Sequence, residues 1–144
     1  MKRLDEKRLV ATFLELVRID GPTFHERPVA DRLVEIFRGL GLKAVEDGSA
    51  AAVGGDCGNL LVRLPGPPRR PGLILVSHLD TILPTRGLKV RESGGVFRSD
   101  GTTILGADDR AGVAVMVEVA RALLAGGGSP VPLELLFTVA EEKG

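Results

Sequence analysis

Two short apolar runs, separated by a long apolar helical segment, occupy the second half of the chain and constrain its fold more than any other feature. The runs are LILVSHLD, from residue 73, and LELLFTVA, from residue 133. Continuous apolar runs of this kind are typical of strands covered on both faces of a sheet. Residues 108–125 lie between them and are apolar around most of a helix's circumference, as in a helix packed against a sheet. This order predicts an α/β layered domain.

The first half of the chain carries helical patterns followed by shorter strand patterns. Residues 5–18 have apolar side chains at helical spacing, which predicts an amphipathic helix. Thr23 and Glu26 match the T-x-x-E capping box and predict the start of a second helix, which ends in the segment RGLG. Short strands are predicted in LKAVED and NLLVRLP, with a loop between them, and a hairpin is predicted around residues 93–95.

Charge and composition argue against several classes of function. The 19 basic residues balance the 19 acidic residues, and there is no Trp or Tyr, so neither a basic surface nor an aromatic platform for nucleic acid is expected. No segment approaches the roughly 20 apolar residues that span a bilayer, and the N-terminus lacks the apolar core of a signal peptide. The single cysteine, Cys57, has no partner for an intrachain disulfide. We therefore expect a cytoplasmic protein without a nucleic-acid or membrane partner.

Pairs of polar residues interrupt the apolar segments at three places, each where a strand ends or a helix begins. The pairs are His78 and Asp80, Asp108 and Asp109, and Glu141 and Glu142. In open α/β sheets, ligands bind in the crevice outside the carboxyl ends of the strands. If the two apolar strands are parallel, the first and third pairs meet at the same rim of the sheet.

Each pair has a structural interpretation and a functional one. Asp80 lies two positions after His78 and can fix the imidazole tautomer, although a strand-end His beside an Asp is often merely structural. Asp108 can be an N-cap, which leaves the second aspartate without a role. Glu141 and Glu142 can form a solvated turn, or they can divide metal binding and proton transfer between them. An imidazole together with carboxylates suits zinc, with manganese or cobalt as possible substitutes.

Three motifs, in this order and spacing, resemble a known family. SHLDTILP, DGTTILGADDRAGVAVMVE and LLFTVAEEKG are similar to motifs of the co-catalytic dizinc peptidases that include peptidase T, carboxypeptidase G and aminoacylase. GADDRAG is closest to the peptidase T (tripeptidase) branch, with Arg110 in place of the usual lysine. The resemblance runs from the first helix to the last residue. It implies a layered α/β/α zinc-exopeptidase-like catalytic domain with a mixed, mainly parallel central sheet, incomplete at its C-terminus.

The resemblance also assigns a role to five of the polar residues. It implies that His78 binds one zinc ion, Asp80 orients this imidazole, Asp108 bridges two zinc ions, Glu142 binds the second ion and Glu141 is the general base. The peptide bond after the bridging aspartate is often cis in this family. The implied reaction is hydrolysis of an amide bond in a short peptide, by a hydroxide held between the two ions. A deacylase of N-acyl amino acids is the alternative within the family, and a non-catalytic metal- or partner-binding fragment is the alternative outside it.

The family's pattern continues beyond what these residues provide. Its members add a further acidic zinc ligand, a lid and dimerisation domain, and a late histidine ligand. We therefore expect residues 1–144 to be the N-terminal part of a catalytic domain and the full-length form to be a homodimer. We also expect the isolated chain to bind zinc weakly and to hydrolyse little or nothing. Uncovered sheet edges and apolar surface, notably around the final strand, should let it self-associate.

Overall fold

The computed structural model describes residues 4–144, which form four helices, six strands and a final 3-10 turn at Glu141–Lys143. The helices are α1 (Glu6–Leu16), α2 (Arg27–Gly39), α3 (Ser49–Val53) and α4 (Ala107–Ala125). The strands are β1 (Ala44–Glu46), β2 (Leu60–Leu64), β3 (Leu73–His78), β4 (Val90–Ser93), β5 (Val96–Ser99) and β6 (Leu133–Thr138). The predicted elements are all present, and the short helix α3 lies in the segment that was predicted to be a loop.

Strands β1, β2, β6 and β3 form one sheet, in that order, with β6 in the middle, while β4 and β5 form a separate hairpin. The mixed α/β architecture is confirmed. Among the strands of this sheet in residues 4–144, however, only β3 and β6 pair in parallel, since β2 runs antiparallel to both β1 and β6. The sheet described in residues 4–144 is therefore less parallel than expected. A parallel pair needs a long crossover, and α4 supplies the crossover between β3 and β6.

One face of the sheet carries the hydrophobic core. Alternate residues of β6 are buried, since Leu133, Leu135 and Phe137 are each at most 3% exposed. They belong to the same cluster as buried side chains of α2 and α4. Phe37 of α2 packs against Phe137 with ring centroids 5.6 Å apart. Burial of such side chains contributes roughly 1.5–3 kcal/mol each, so this cluster anchors the rim at which β6 ends.

Strand β3 differs from its prediction. Its pattern predicts cover on both faces, but Leu73, Ile74 and Val76 are 52%, 49% and 57% exposed. The reason is its place at the edge of the sheet, where β6 is its one neighbouring strand in residues 4–144. The apolar surface expected around the final strand thus lies on β3 instead.

Helix α4 is apolar but carries two fully buried charged groups. Glu118 is 1% exposed and accepts hydrogen bonds from Arg8, including one of 2.6 Å from Nη2. Arg110 is completely buried near the start of the helix. Within residues 4–144, no helix combines the length and the apolar content needed to cross a membrane.

The second helix does not begin with the predicted capping box. Glu26 occupies the N-cap position of α2 but makes no side-chain capping bond. Thr23 donates its hydroxyl to Asp80, and the Glu26 carboxylate accepts from the backbone of Ala140. Both side chains are therefore directed to the rim of the sheet rather than to their own helix.

Candidate metal centre

Strands β3 and β6 bring the first and third polar pairs together. The two strands are parallel, and His78 at the end of β3 is in register with Thr138 at the end of β6. The 3-10 turn begins at Glu141, after two intervening residues. As a result, one ligand atom each of His78, Glu141 and Glu142 lies within 4.8 Å of the others. The structure thus brings the first and third polar pairs to one rim of the sheet, as predicted for parallel strands.

The His78 ring is held by Asp80. Its Nδ1 lies 3.1 Å from the backbone oxygen of Asp80 and 3.3 Å from the carboxylate Oδ1. Both oxygens can accept a hydrogen bond from Nδ1–H, and in that tautomer of the neutral ring the lone pair is on Nε2. Nε2 lies 3.1 Å from Oδ1 of Asp108 and 3.8 Å from Oε2 of Glu141. One imidazole nitrogen thus faces two carboxylates.

The two adjacent aspartates have different roles. The peptide bond between Asp108 and Asp109 is cis, as the family resemblance implies. Asp108 has non-helical backbone angles, and its side chain is 86% exposed beside His78. Asp109 is the residue that caps α4, since its carboxylate accepts the N–H of Gly112 at 3.0 Å and the hydroxyl of Ser77 at 2.7 Å. The capping interpretation therefore applies to Asp109, and Asp108 is free to bind a cation.

Asp80 also holds the turn that carries the two glutamates. Its Oδ1 accepts the backbone N–H of Glu141 at 3.2 Å, and its Oδ2 accepts that of Glu142 at 3.1 Å. The hydroxyl of Thr23 donates to the same Oδ2 at 2.8 Å. Asp80 is completely buried, so these bonds are sheltered from water. The Asp80 carboxylate thus fixes the positions of both the His78 imidazole and the turn that carries the two glutamates.

Two further side chains hold the same turn, and neither contact was predicted from the sequence. Asn59 accepts the N–H of Val139 at 3.0 Å, and Glu26 accepts the N–H of Ala140 at 3.0 Å. Together with the two amides bonded to Asp80, four consecutive backbone amides donate to side chains. The T-x-x-E pattern had suggested a local cap for Glu26, and no sequence signal links it to a residue 114 positions away.

Arg110 lies buried beneath this arrangement. Its Nη2 donates to the backbone oxygen of Gly21 at 3.3 Å. A Cβ at Gly21 would lie 2.8 Å from that nitrogen, so glycine leaves the space that the guanidinium needs. Burial lowers the pKa of Arg110 to about 10, against the opposing negative charges of Asp80 and Glu26. Arg110 is therefore a buried cation at neutral pH.

The donor set fits a divalent cation. Burial lowers the pKa of His78, but the hydrogen bond to Asp108 and the charges of Asp80 and Glu141 outweigh it, so the pKa is raised. The surrounding carboxylates thus favour positive charge at this point, which a metal ion supplies equally well. An imidazole nitrogen beside exposed carboxylate oxygens, on a ring whose other nitrogen faces Asp80, is the ligand chemistry of zinc sites. A cavity of about 380 Å³ opens beside Asp108 and Glu142.

Comparisons with known proteins agree with this geometry. The chain is 40% identical over 141 residues to the uncharacterized protein YqjE of Bacillus subtilis, covering 98% of this chain and 38% of that protein. It superposes on aminopeptidase PepT from Bacillus cereus with a TM-score of 0.92 and 39% identity, covering 98% of this chain and 38% of that one. A tripeptidase from Staphylococcus aureus gives a TM-score of 0.92 and 39% identity, with 99% and 39% covered.

These relatives confirm the resemblance to the peptidase T branch and the zinc-exopeptidase-like fold. The chain spans about two fifths of the length of each of the three. Residues 59–144 match Peptidase family M28. This match extends over more than half of the chain and includes all five residues to which the motifs assign a role. The chain therefore belongs to Peptidase family M28.

Proposed function

We propose that residues 1–144 form the N-terminal part of a metal-dependent peptidase active site that hydrolyses an amide bond of short peptides, as a tripeptide aminopeptidase does. The observation that carries this proposal is the position of His78 Nε2, 3.1 Å from Asp108 and 3.8 Å from Glu141. Membership of a peptidase family and similarity to PepT and a tripeptidase support the class of reaction. This class of reaction implies a short peptide as the substrate.

Three side chains would hold the metal in this proposal. His78, Asp108 and Glu142 would supply the protein ligands of two zinc ions, with Asp108 shared between them, and manganese or cobalt could replace zinc. Metal bound by these residues would supply Lewis acidity to the substrate carbonyl and would make water a better nucleophile at neutral pH. Asp80 keeps the His78 lone pair directed at the metal by accepting the Nδ1–H.

Glu141 would move the proton. Its side chain is 59% exposed at the mouth of the site, 3.8 Å from Nε2 of His78. From there it takes a proton from the attacking water while the water oxygen bonds to the substrate carbonyl carbon. It then gives that proton to the leaving amine as the C–N bond breaks. Glu141 thus serves as base and then as acid, and regains its carboxylate at the end.

The rest of the site is proposed to come from a longer protein. Asp108 counts for both ions, so each ion has two protein ligands here, whereas catalytic zinc has three. A further acidic ligand, a late histidine and a lid and dimerisation domain complete the proposal, with a cytoplasmic homodimer as the full-length form. The isolated chain then binds zinc weakly and turns over little or no substrate. Its exposed apolar strand β3 favours self-association.

Complementation tests this function. The chain is joined to the C-terminal part of a similar tripeptidase, and hydrolysis of trialanine and of N-acetylalanine is measured with and without a chelator. Zinc-dependent cleavage of trialanine supports the proposal. Cleavage of N-acetylalanine alone indicates the deacylase alternative. Zinc binding without either activity, in a folded and metal-loaded chimera, indicates the non-catalytic alternative and contradicts the proposal.

A further inference from the structure

The turn that presents Glu141 and Glu142 depends on a buried carboxylate outside the family match. Glu26 is completely buried, and its Oε1 accepts the N–H of Ala140 at 3.0 Å. Ala140 has φ 56°, in the left-handed region that residues with a Cβ adopt unfavourably. The hydrogen bond from the Ala140 N–H to Glu26 offsets the cost of this left-handed conformation. Glu26 therefore acts on the backbone immediately before the two glutamates.

The same carboxylate is half unsatisfied. Glu26 Oε2 has no hydrogen-bond partner within residues 4–144, and neither do Nε and Nη1 of Arg110. Buried charged atoms are costly unless an opposite charge compensates them. Nη2 of Arg110 donates to the backbone oxygen of Gly21 at 3.3 Å, five positions before Glu26 in the chain. A buried guanidinium at Gly21 and a buried carboxylate below the turn thus lie at the two ends of residues 21–26.

The segment that carries Glu26 is fastened to the end of β3. Thr81 donates its N–H to the oxygen of Gly21 at 3.2 Å, and Thr23 donates its N–H to the oxygen of Thr81 at 3.2 Å. Pro22 and Thr81 form an isolated parallel bridge. Residues 21–26 therefore form a platform beside Asp80, and Glu26 reaches from it to Ala140, just beyond the end of β6.

We propose that Glu26 and Arg110 are positioning residues of the metal centre. Glu26 and Asp80 hold three consecutive amides, from Ala140 to Glu142, and Arg110 holds the Gly21 end of the platform that carries Glu26. Neither Glu26 nor Arg110 touches the metal or the substrate. This inference rests on the proposed function only in its zinc readout, because the hydrogen bonding of the turn exists without metal.

Glu118 supplies a matched control. Like Glu26, it is a buried carboxylate that accepts a backbone N–H, here from Asp5 at 2.9 Å, but it lies in the middle of α4. Glu26→Ala and Glu118→Ala therefore remove comparable groups, and only the first should affect the turn. Glu26→Gln keeps an acceptor for Ala140 and removes the charge. Arg110→Lys keeps the cation, whereas Arg110→Met removes it.

Two measurements test the inference on each folded variant, with circular dichroism as the check of folding. Amide hydrogen exchange without metal should show lost protection of Ala140 and its two successors in Glu26→Ala. Glu118→Ala should leave that protection unchanged. Zinc affinity, from competition with a chromophoric chelator, should fall about 10–100-fold in Glu26→Ala, as for other residues that orient metal ligands. The zinc affinity of Glu26→Gln and of Arg110→Met should also fall, whereas Arg110→Lys should keep most of the affinity.

Two results separate the failure of this inference from that of the proposed function. If the unaltered protein binds no zinc, the proposed metal centre fails, and hydrogen exchange alone decides the role of Glu26. If Glu26→Ala and Glu26→Gln fold and keep both zinc affinity and amide protection, the positioning role is overturned. Equal losses in Glu26→Ala and Glu118→Ala would also overturn it, because they would reflect general destabilisation.

Discussion

Nε2 of His78 lies 3.1 Å from Oδ1 of Asp108, although the two residues are 30 positions apart in the chain. The contact joins the end of strand β3 to the start of helix α4. It exists because Asp109, not Asp108, caps that helix, which leaves Asp108 facing the imidazole.

Loss of the imidazole should abolish most metal binding. His78→Ala removes the one nitrogen donor of the cluster, so zinc affinity should fall by more than the about 10–100-fold typical of residues that only orient a ligand. Isothermal titration with zinc measures this change. His25→Ala is the matched control, because His25 is the other histidine of the chain and is exposed. Equal losses in the two variants would contradict the assignment of His78.

Loss of the proposed base should affect turnover more than metal content. In a complemented, active protein, Glu141→Ala should lower kcat by about 10²–10⁴-fold, the usual contribution of a general base. Metal analysis should find zinc retained, whereas Glu142→Ala should lose zinc along with activity. If Glu141→Ala loses zinc as Glu142→Ala does, Glu141 is a ligand rather than a base.

The thiol of Cys57 should be unreactive in the folded protein. Burial, followed by the nearby charge of Glu26, raises its pKa to about 12. Its side chain is also completely inaccessible to solvent. The thiolate is the reactive form, and at pH 8 this pKa leaves only about 10⁻⁴ of the thiol ionised. A disulfide reagent at pH 8 should therefore label less than about a tenth of the native protein. Full labelling should follow only in denaturant, and rapid labelling without it would contradict the buried position.

A methyl group at Gly112 should disturb the cap of α4. Its Cβ would lie 2.5 Å from both carboxylate oxygens of Asp109, so Gly112→Ala should destabilise the fold by about 1–3 kcal/mol, as other overpacked sites do. Gly39→Ala is the control, since nothing lies within 4 Å of its Cβ position. That variant should be neutral or more stable by about 0.4–1 kcal/mol. Urea unfolding measures both, and a neutral Gly112→Ala would count against this cap.

Acid should act on a carboxylate in the loop before α3. Hydrogen bonds from the Ser49 hydroxyl and amide, with others from Asn59, lower the pKa of Asp47 to about 2. An unfolded aspartate has a pKa near 3.9, so this group stabilises the fold above about pH 4. Its contribution is lost as the pH falls towards 2. Ser49→Ala should raise this pKa, as followed by carboxyl carbon NMR, and an unchanged titration would contradict these bonds.

The positions of the helices and strands were predictable from the sequence, whereas the burial of each element was less predictable. The apolar periods of residues 5–18, 108–125 and 133–140 predicted α1, α4 and β6, because regular structure repeats over a few neighbouring residues. The same apolar character predicted a fully covered β3, which is half exposed at the sheet edge. An apolar run reports that a strand can be buried, not which of its neighbours cover it.

The candidate site was also predicted unevenly. His78, Asp108 and the two glutamates were located because polar residues at the ends of apolar strands are conspicuous against their surroundings. The capping of α4 by Asp109 was not predicted, since either aspartate can cap a helix in sequence and only the family resemblance assigned Asp108 to the metal. Glu26 was assigned to a local capping box because T-x-x-E is read over four residues.

The amino-acid pattern alone was enough to establish the order of helices and strands, the polar residues at their ends and the resemblance to a dizinc peptidase. These features depend on residues close together in the chain. Three-dimensional packing decided which carboxylates face His78, which aspartate caps α4, and that Glu26 bonds a residue 114 positions away. Such contacts depend on strand register and on the seating of α2 and α4 against the sheet, which no short segment encodes.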